Sequence, residues 1–189
     1  MPVTDDTTTS RRSGRTSWLA RVAIACGLVA LGVAILTVWS EPYRSMEAHA
    51  ASWVVGLFTP TRLYGNEWLV TGHGSGLWFV VTTICTSGLI VLPLLGFATW
   101  ATLMRRVKVS MALAGLTAGI LAVLVLSTAR LAMIGLSWWQ WGYPSLWLAH
   151  DLVGTFISLI AMASGLGIQI VVTGRWGKME RRTFEPEAA

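Results

Sequence analysis

Four long hydrophobic stretches alternate with short polar segments along the chain. They cover approximately residues 18–39, 78–103, 111–136 and 147–173. A helix needs about 20 apolar residues to cross a hydrocarbon core of about 30 Å, so each stretch is long enough to span a membrane. The pattern therefore predicts an all-α integral membrane protein, a bundle of four main transmembrane helices.

The segment between the first two stretches predicts two smaller elements on the outer surface. After Glu41-Pro42, apolar residues recur at helical spacing (Met46, Ala50, Trp53, Val54 and Leu57), which predicts an amphipathic helix ending near Thr59-Pro60. Further on, two β-prone runs flank a Gly-rich turn at residues 72–76, which predicts a short extracytoplasmic β-hairpin. If its second strand extends past Trp78, the second transmembrane helix starts later.

Composition supports a membrane protein with one compact domain. Of the 189 residues, 54% are hydrophobic and only 12% are charged, and the mean hydropathy is +0.62. We expect a single membrane domain at residues 17–174, between a disordered cytoplasmic tail at 1–16 and a second cytoplasmic tail at 175–189.

The distribution of basic residues predicts the orientation. They concentrate in three flanking segments: Arg11, Arg12, Arg15 and Arg21, then Arg105, Arg106 and Lys108, then Arg175, Lys178, Arg181 and Arg182. The positive-inside rule places these segments, and both termini, in the cytoplasm, and the 40–77 and 137–146 connections outside. Basic residues grouped in this way argue against nucleic-acid binding, despite a net charge of +5.

Three residues with reactive or charged side chains are predicted to share one layer near the outer face. With a helical rise of about 1.5 Å per residue, Cys85, Arg130 and His150 lie about 10, 12 and 5 Å below the nearest interfacial tryptophans. An arginine within lipid costs about 2.5–3.5 kcal/mol, which makes Arg130 a candidate functional residue.

A thiol, a cation and an imidazole in one pocket suit acyl transfer through a thioester. The cation favours the thiolate, which is the nucleophilic form of Cys85, and the histidine can carry a proton near working pH. We assign attack to Cys85, charge stabilisation to Arg130 and proton transfer to His150. This chemistry requires no metal and no organic cofactor.

Each of these residues also has a structural interpretation. We read Cys26 as a small buried hydrophobic residue, and Cys85 can be one as well. His150 can be an interfacial residue bonded to a carbonyl. Arg130 can pair with Asp151, which on a helix points about 100° away from His150 and is therefore a poor partner for its imidazole.

The remaining candidates are read as structural. His49 and His73 are taken as surface or hairpin residues, and the different depths of Cys26 and Cys85 exclude a disulfide between them. Gly115 and Gly119, together with the small residues Gly154 and Ser158 on the His150 face, predict close helix packing around Cys85, Arg130 and His150.

The placement of these residues resembles the exosortase/archaeosortase family of membrane cysteine transpeptidases. The resemblance covers roughly residues 55–172. It consists of Cys85-Thr86-Ser87-Gly88 at the head of one span, Arg130 late in the next and His150 early in the last, with Ser127 where many members have Asn.

That resemblance implies an active site of Cys85, Arg130 and His150 at the outer face of the cell membrane. It implies substrates that are exported proteins ending in a short motif, a transmembrane helix and a basic tail. The enzyme would cleave this sorting signal and transfer the protein to a surface or lipid acceptor. The alternatives are a membrane acyltransferase or thioesterase using Cys85, and a non-enzymatic subunit of an envelope assembly.

Overall fold

The structure, a computed structural model, describes residues 18–72, 75–82, 85–104 and 107–182, with side chains to residue 174. The predicted tail at 1–16 and His73 lie outside the described residues. Of the predicted tail at 175–189, the first part continues the last helix to Arg182.

Helices make up most of the described chain, and a small sheet follows the second helix. The helices are α1 (Trp18–Thr37), α2 (Ser40–Gly56), α3 (Gly88–Leu103), α4 (Val109–Trp141), α5 (Tyr143–Trp147) and α6 (Gly154–Arg182). A π-helical turn, Leu148–Val153, joins α5 to α6 without a break. The strands are β1 (Thr61–Tyr64), β2 (Glu67–Gly72) and β3 (Ser75–Val80).

Among the residues that the structure describes, three helical segments, and not the predicted four, are long and apolar enough to cross a membrane. They are Trp18–Thr37, Val109–Trp141 and Tyr143–Gly174. The predicted span at 78–103 is wrong in its first third, because residues 78–80 belong to β3 and the helix that follows, α3, has only 16 residues. Hydrophobicity alone could not separate the apolar strand from the helix after it.

The predicted hairpin is confirmed, and a third strand extends it. β2 and β3 pair antiparallel with Val70 opposite Leu77, and β1 pairs with the other edge of β2, giving the order β1-β2-β3. Gly65, with a positive φ of 61°, lies in the turn between β1 and β2, where glycine adopts this conformation without strain. The four residues of β1 are too few for a clear periodic signal.

The predicted connection at 137–146 is almost entirely helical. α4 continues to Trp141, and only Gly142, at a φ of 71°, separates it from α5. Apolar and aromatic residues before Gly142 are compatible with a helix, so the glycine is the effective stop signal. With 33 residues, α4 is about 50 Å long and extends beyond a hydrocarbon core of about 30 Å.

The predicted amphipathic helix is confirmed as α2, and the face that it buries against the protein is formed mostly by residues other than those that predicted it. Its buried residues are Glu47, Ala48, Ala51, Ser52 and Val55, whereas Met46, Trp53 and Leu57 are exposed. Small residues let α2 approach α4 and the sheet closely, and the large apolar ones remain outside, as for a helix lying at a membrane interface.

Two hydrophobic cores divide the molecule. The cap, which consists of α2, the sheet and α4 from Arg130 onward, is centred on Val55, Trp68 and Val70. The bundle, which consists of α1, α3, α6 and the earlier part of α4, is centred on Leu94, Ala98 and Val123.

Close packing at the predicted glycines is confirmed, although it lies deeper than predicted. A Cβ atom on Gly119 would lie 2.8 Å from the carbonyl oxygen of Gly165, and one on Gly115 would lie 3.0 Å from that of Gln169. Gly119 precedes Arg130 by 11 residues, so this contact between α4 and α6 is about 16 Å away along the helix. Near Arg130 itself, the close neighbour is Gly154.

Candidate active site

Cys85 lies in a turn that connects β3 to α3, and not on a helix as predicted. Its backbone N–H donates to the carbonyl of Thr82 at 3.1 Å, and α3 begins three residues later at Gly88. Cys85 therefore belongs neither to β3 before it nor to α3 after it. The thiol is partly exposed, because the chain changes direction between strand and helix at this point.

The imidazole of His150 contacts the thiol of Cys85. The distance from Sγ to Nε2 is 3.7 Å, within the range for a hydrogen bond to sulfur. His150 lies in the π-helical turn between α5 and α6, and π-helical turns are frequent at functional sites.

Asp151 orients His150, which corrects the prediction that it pairs with Arg130. Its Oδ1 lies 2.7 Å from Nδ1 of His150, and no ion pair joins it to Arg130 in the part of the chain that the structure describes. The Cα–Cβ bonds of adjacent helical residues point about 100° apart, but the side-chain torsions of His150 and Asp151 bring the imidazole and the carboxylate together. With Nδ1–H donated to the carboxylate, Nε2 faces Cys85 as a proton acceptor.

Arg130 lies beneath the same turn and is 8% exposed. Its Nη1 donates to the main-chain carbonyl of Cys85 at 3.3 Å, so the guanidinium contacts the cysteine backbone. Its Nε is buried and has no hydrogen-bond partner among the described residues. A Cβ on Gly154 would lie 3.1 Å from this Nε, so the glycine leaves room for the guanidinium.

The surroundings of Cys85 favour its thiolate. Partial burial opposes ionisation, but hydrogen bonds with Thr82 and His150 and the charges of His150 and Arg130 outweigh it. Together they lower the pKa of the Cys85 thiol below its ordinary value. A lowered pKa increases the fraction of the nucleophilic form at neutral pH.

A buried carboxylate that the sequence analysis missed holds the residues after Cys85. Glu47 of α2 is 3% exposed and accepts hydrogen bonds from Thr86 Oγ1 at 2.7 Å and from the backbone N–H of Ser87 at 3.0 Å. The Ser87 hydroxyl also donates to it, and Ser127 Oγ lies 3.5 Å away. Four donors around one carboxylate compensate the cost of burying its charge.

Tyr43 extends this network toward the surface of α2. Its hydroxyl lies 2.6 Å from the Ser87 hydroxyl, and burial raises the pKa of Tyr43 above its ordinary value. Since Ser87 donates to Glu47, Tyr43 donates to Ser87. One turn of α2 thus fixes the N-terminus of α3, directly after Cys85.

A signal for Glu47 was present in the sequence. Glu47, Ala51 and Val55 recur every four residues and therefore share one helix face. A charged residue in line with small apolar ones indicates a buried acid. The large apolar residues of α2, which carry the stronger periodic signal, lie on the exposed side.

The three predicted site residues line one small cavity of about 40 Å³, together with Trp68, Phe79 and other apolar side chains. His150 also lines a wider groove of about 480 Å³ that lies between β3 and α5. The thiol therefore lies at a small apolar cavity beside a larger cleft, as expected of a site for an extended ligand.

Two other candidates lie away from this cavity. His49 is on the exposed side of α2, where its Nδ1 lies 2.9 Å from the carbonyl of Ser45. Cys26 is exposed on α1, contrary to the prediction that it is buried, and it faces the surroundings of the bundle. A residue on a lipid-facing helix surface is indistinguishable by hydrophobicity from one in a protein core.

In comparisons with known proteins, no family model, no curated protein and no solved structure matches the chain.

Proposed function

We propose that the protein is a membrane-embedded cysteine protease and transpeptidase that cleaves C-terminal sorting signals of exported proteins. One observation carries the proposal: the sulfur of Cys85, the imidazole of His150 and the guanidinium of Arg130 line the same cavity. The thiol, base and orienting carboxylate form a Cys85–His150–Asp151 series, an arrangement suited to nucleophilic catalysis.

The reaction proceeds in two acyl transfers. His150 Nε2 takes the thiol proton, and the thiolate attacks the carbonyl carbon of the scissile peptide bond to form a C–S bond. The C–N bond then breaks, and the leaving amine takes the proton from Nε2, which leaves a thioester on Cys85. An amine of the acceptor, or water, gives a proton to Nε2 and attacks the thioester carbonyl. The C–S bond then breaks, and the released thiolate takes that proton from Nε2, which restores the thiol and the neutral imidazole.

Arg130 contributes positive charge at the point where the carbonyl oxygen becomes negative. Buried charge acts more strongly than charge in water, since the surroundings have a lower effective dielectric constant. By donating to the carbonyl of Cys85, the guanidinium also holds the cysteine backbone at the cavity.

The proposed site lies at the extracytoplasmic face of the cell membrane, with both termini in the cytoplasm. This topology needs an even number of crossings, so the 16-residue apolar helix α3 is the fourth. Support comes from the basic clusters that flank the apolar helices. It also comes from Arg21, whose Nη1 donates to the carbonyls of Thr102 and Met104 at the end of α3, the end opposite Cys85. Arg21 is thus a cation at a helix C-terminus, on the side assigned to the cytoplasm.

The resemblance to the exosortase/archaeosortase family leads to a specific substrate class. The substrates are exported proteins with a short motif, a transmembrane helix and a basic tail, and the acceptor is a surface or lipid amine. The helix of such a substrate would lie in the bilayer beside the bundle, with its motif at the depth of Cys85.

The test compares the C-termini of exported proteins in cells of the native host that carry the wild-type chain or Cys85→Ala. With the wild type, proteins ending in an apolar helix and a basic tail should lose that tail. With Cys85→Ala they should accumulate uncleaved, and Cys26→Ala, the matched control, should process them normally.

Equal processing with Cys85→Ala and the wild type would contradict the proposal and favour a non-enzymatic envelope subunit. A lipid acyl group on Cys85, found by mass spectrometry with no change in protein C-termini, would instead identify an acyltransferase or thioesterase.

A further inference from the structure

The outer edge of β3 is open and leads to the reactive cysteine. β3 is the last strand in the order β1-β2-β3 and pairs only with β2 among the described residues. The turn containing Cys85 follows directly, since Thr82 accepts a hydrogen bond from the N–H of Cys85. An open strand edge presents unpaired N–H and C=O groups, which bind another extended chain readily.

The pairing register identifies the backbone groups on that open edge. Val81 donates its N–H to the carbonyl of Asn66 at 3.1 Å, across the ladder with β2. Backbone groups of alternate residues point to the same side of a strand, so those of Phe79 and Leu77 also face β2. The backbone groups of Gly76, Trp78 and Val80 therefore face outward.

A groove of about 480 Å³ runs beside this edge and adjoins the cavity of Cys85. Its walls are mostly apolar and aromatic, from Trp78, Val80, Ile134, Tyr143, Leu146 and Trp147. Val80 and His150 line both the groove and the cavity, so the two are neighbours. Backbone donors on one wall and apolar surface on the other suit a polypeptide in extended conformation.

The direction of β3 matches that of a membrane-bound substrate. At the start of β3, its partner residue Gly72 packs against Trp139, and beyond its end Cys85 contacts Arg130. The strand therefore descends along α4 by nine residues, or about 13 Å, toward the bundle. A substrate with its folded part outside and its helix in the bilayer runs the same way.

We propose that the substrate binds as a fourth strand parallel to β3, with the segment preceding the scissile bond on the open edge and its carbonyl carbon at Cys85. This inference rests on the proposed function, because it assigns the site a peptide substrate. Affinity then comes largely from backbone hydrogen bonds, and alternate side chains of the substrate enter the apolar groove.

The test uses three reagents with the same chloromethyl ketone group on the purified full-length protein in detergent. They are acetyl-Ala, acetyl-Ala-Ala-Ala-Ala and octanoyl-Ala chloromethyl ketone, and the rate of alkylation at Cys85 is measured by peptide mass spectrometry. The tetrapeptide should react about tenfold faster than acetyl-Ala, as two or more additional hydrogen bonds would give. Cys26 should show no such preference.

Two N-methylated copies of the tetrapeptide sharpen the test without altering the protein. One is methylated at its odd residues and the other at its even residues, and only alternate residues of a bound strand face β3. One copy should lose most of the tenfold advantage and the other should retain it. Equal rates for both copies would overturn the strand assignment.

A matched pair of variants tests the edge itself. Trp78→Pro removes an outward N–H at an edge position where proline is tolerated, whereas Trp78→Ala removes the same side chain and keeps the N–H. The ratio of the alkylation rate with the tetrapeptide to that with acetyl-Ala should fall toward one in Trp78→Pro. In Trp78→Ala the same ratio should stay clearly above one.

The outcomes separate this inference from the proposed function. If acetyl-Ala alkylates Cys85 faster than Cys26, but the tetrapeptide alkylates Cys85 no faster than acetyl-Ala does, the substrate does not bind at the β3 edge. The assignment of Cys85 as the nucleophile is then unaffected. If the octanoyl-Ala reagent alkylates Cys85 as fast as the tetrapeptide does, the groove binds an acyl chain and the strand assignment is wrong. If Cys85 reacts no faster than Cys26 with any reagent, the proposed function itself fails.

Discussion

The bundle and the cap are held together in different ways. In the bundle, α4 and α6 approach through glycines, with Gly119 against the backbone of Gly165, and the core consists of aliphatic residues such as Leu94 and Val123. In the cap, the large side chain of Trp68 fills the core, and a buried acid, Glu47, is surrounded by hydroxyl and amide donors.

The candidate site lies where these two halves meet. Cys85 follows a strand of the cap and precedes a helix of the bundle, while Arg130 lies at the start of the cap portion of α4. Substitutions in the bundle should therefore change stability first, and substitutions in the cap should change the chemistry at Cys85.

The largest effect is expected for Gly119→Leu in the bundle. Any side chain here meets the carbonyl oxygen of Gly165, so the two helices must separate, at a cost of about 3 kcal/mol. The free energy of unfolding in detergent measures this cost. Gly96→Leu is the matched control, because nothing lies within 4 Å of a Cβ at Gly96. Equal stability of the two variants would refute close packing of α4 against α6.

Asp151→Asn should separate chemistry from stability. The carboxylate is 53% exposed, so its loss should leave unfolding nearly unchanged. Without it, the imidazole is no longer held with Nε2 as the acceptor, and processing should slow by about 100-fold. The measurement is the rate of tail removal from the accumulating substrates. A rate within twofold of the wild type would show that Asp151 does not orient His150.

Glu47→Ala should affect both properties. Removing the acid leaves the Ser87 N–H and the Thr86 hydroxyl buried without their acceptor, which costs about 2 kcal/mol of stability. We also expect slower alkylation of Cys85 by iodoacetamide, since the turn loses its support. Glu47→Gln keeps an acceptor oxygen for these donors and should restore part of that rate. The control is Glu41→Ala, at an exposed acid of the same helix.

The smallest of these effects is a shift in the pH dependence of Cys85 alkylation, which we expect for Arg130→Gln. Because the pKa of Cys85 is lowered, alkylation should become fast at a lower pH than for an ordinary thiol and fall only as pH drops through that lowered pKa. Without the charge of Arg130, the rise should move to higher pH. The control, Arg130→Lys, retains the charge and should shift it less. If alkylation depends on pH identically in the wild type and both variants, the charge of Arg130 does not affect the pKa of the Cys85 thiol.

The sequence predicted the proximity of Cys85, Arg130 and His150 better than the elements that carry them. Depth counting from tryptophans brought Cys85, Arg130 and His150 to one layer, and the structure places all three at one cavity. It could not show that Cys85 precedes its helix, because an apolar run such as Leu77–Val81 suits a buried strand and a helix equally.

Asp151 and Glu47 mark the limits of arguments from periodicity. Helical periodicity gives only the direction in which a side chain leaves the backbone. The contact of Asp151 with His150 depends on the rotamers of the two side chains, which periodicity does not predict. The periodicity of α2 was clear, yet at a membrane interface the large apolar face can lie outside, so Glu47 and the small residues became the buried face.

The most direct test of the central claim is a search for a thioester on Cys85. Membranes from the native host are treated with neutral hydroxylamine, and the peptide containing Cys85 is analysed by mass spectrometry before and after treatment. We predict an acyl adduct of peptide origin on Cys85 that hydroxylamine removes, and no such labile adduct in Cys85→Ser. Absence of any adduct on Cys85, in cells whose sorting signals are still cleaved, would contradict the account.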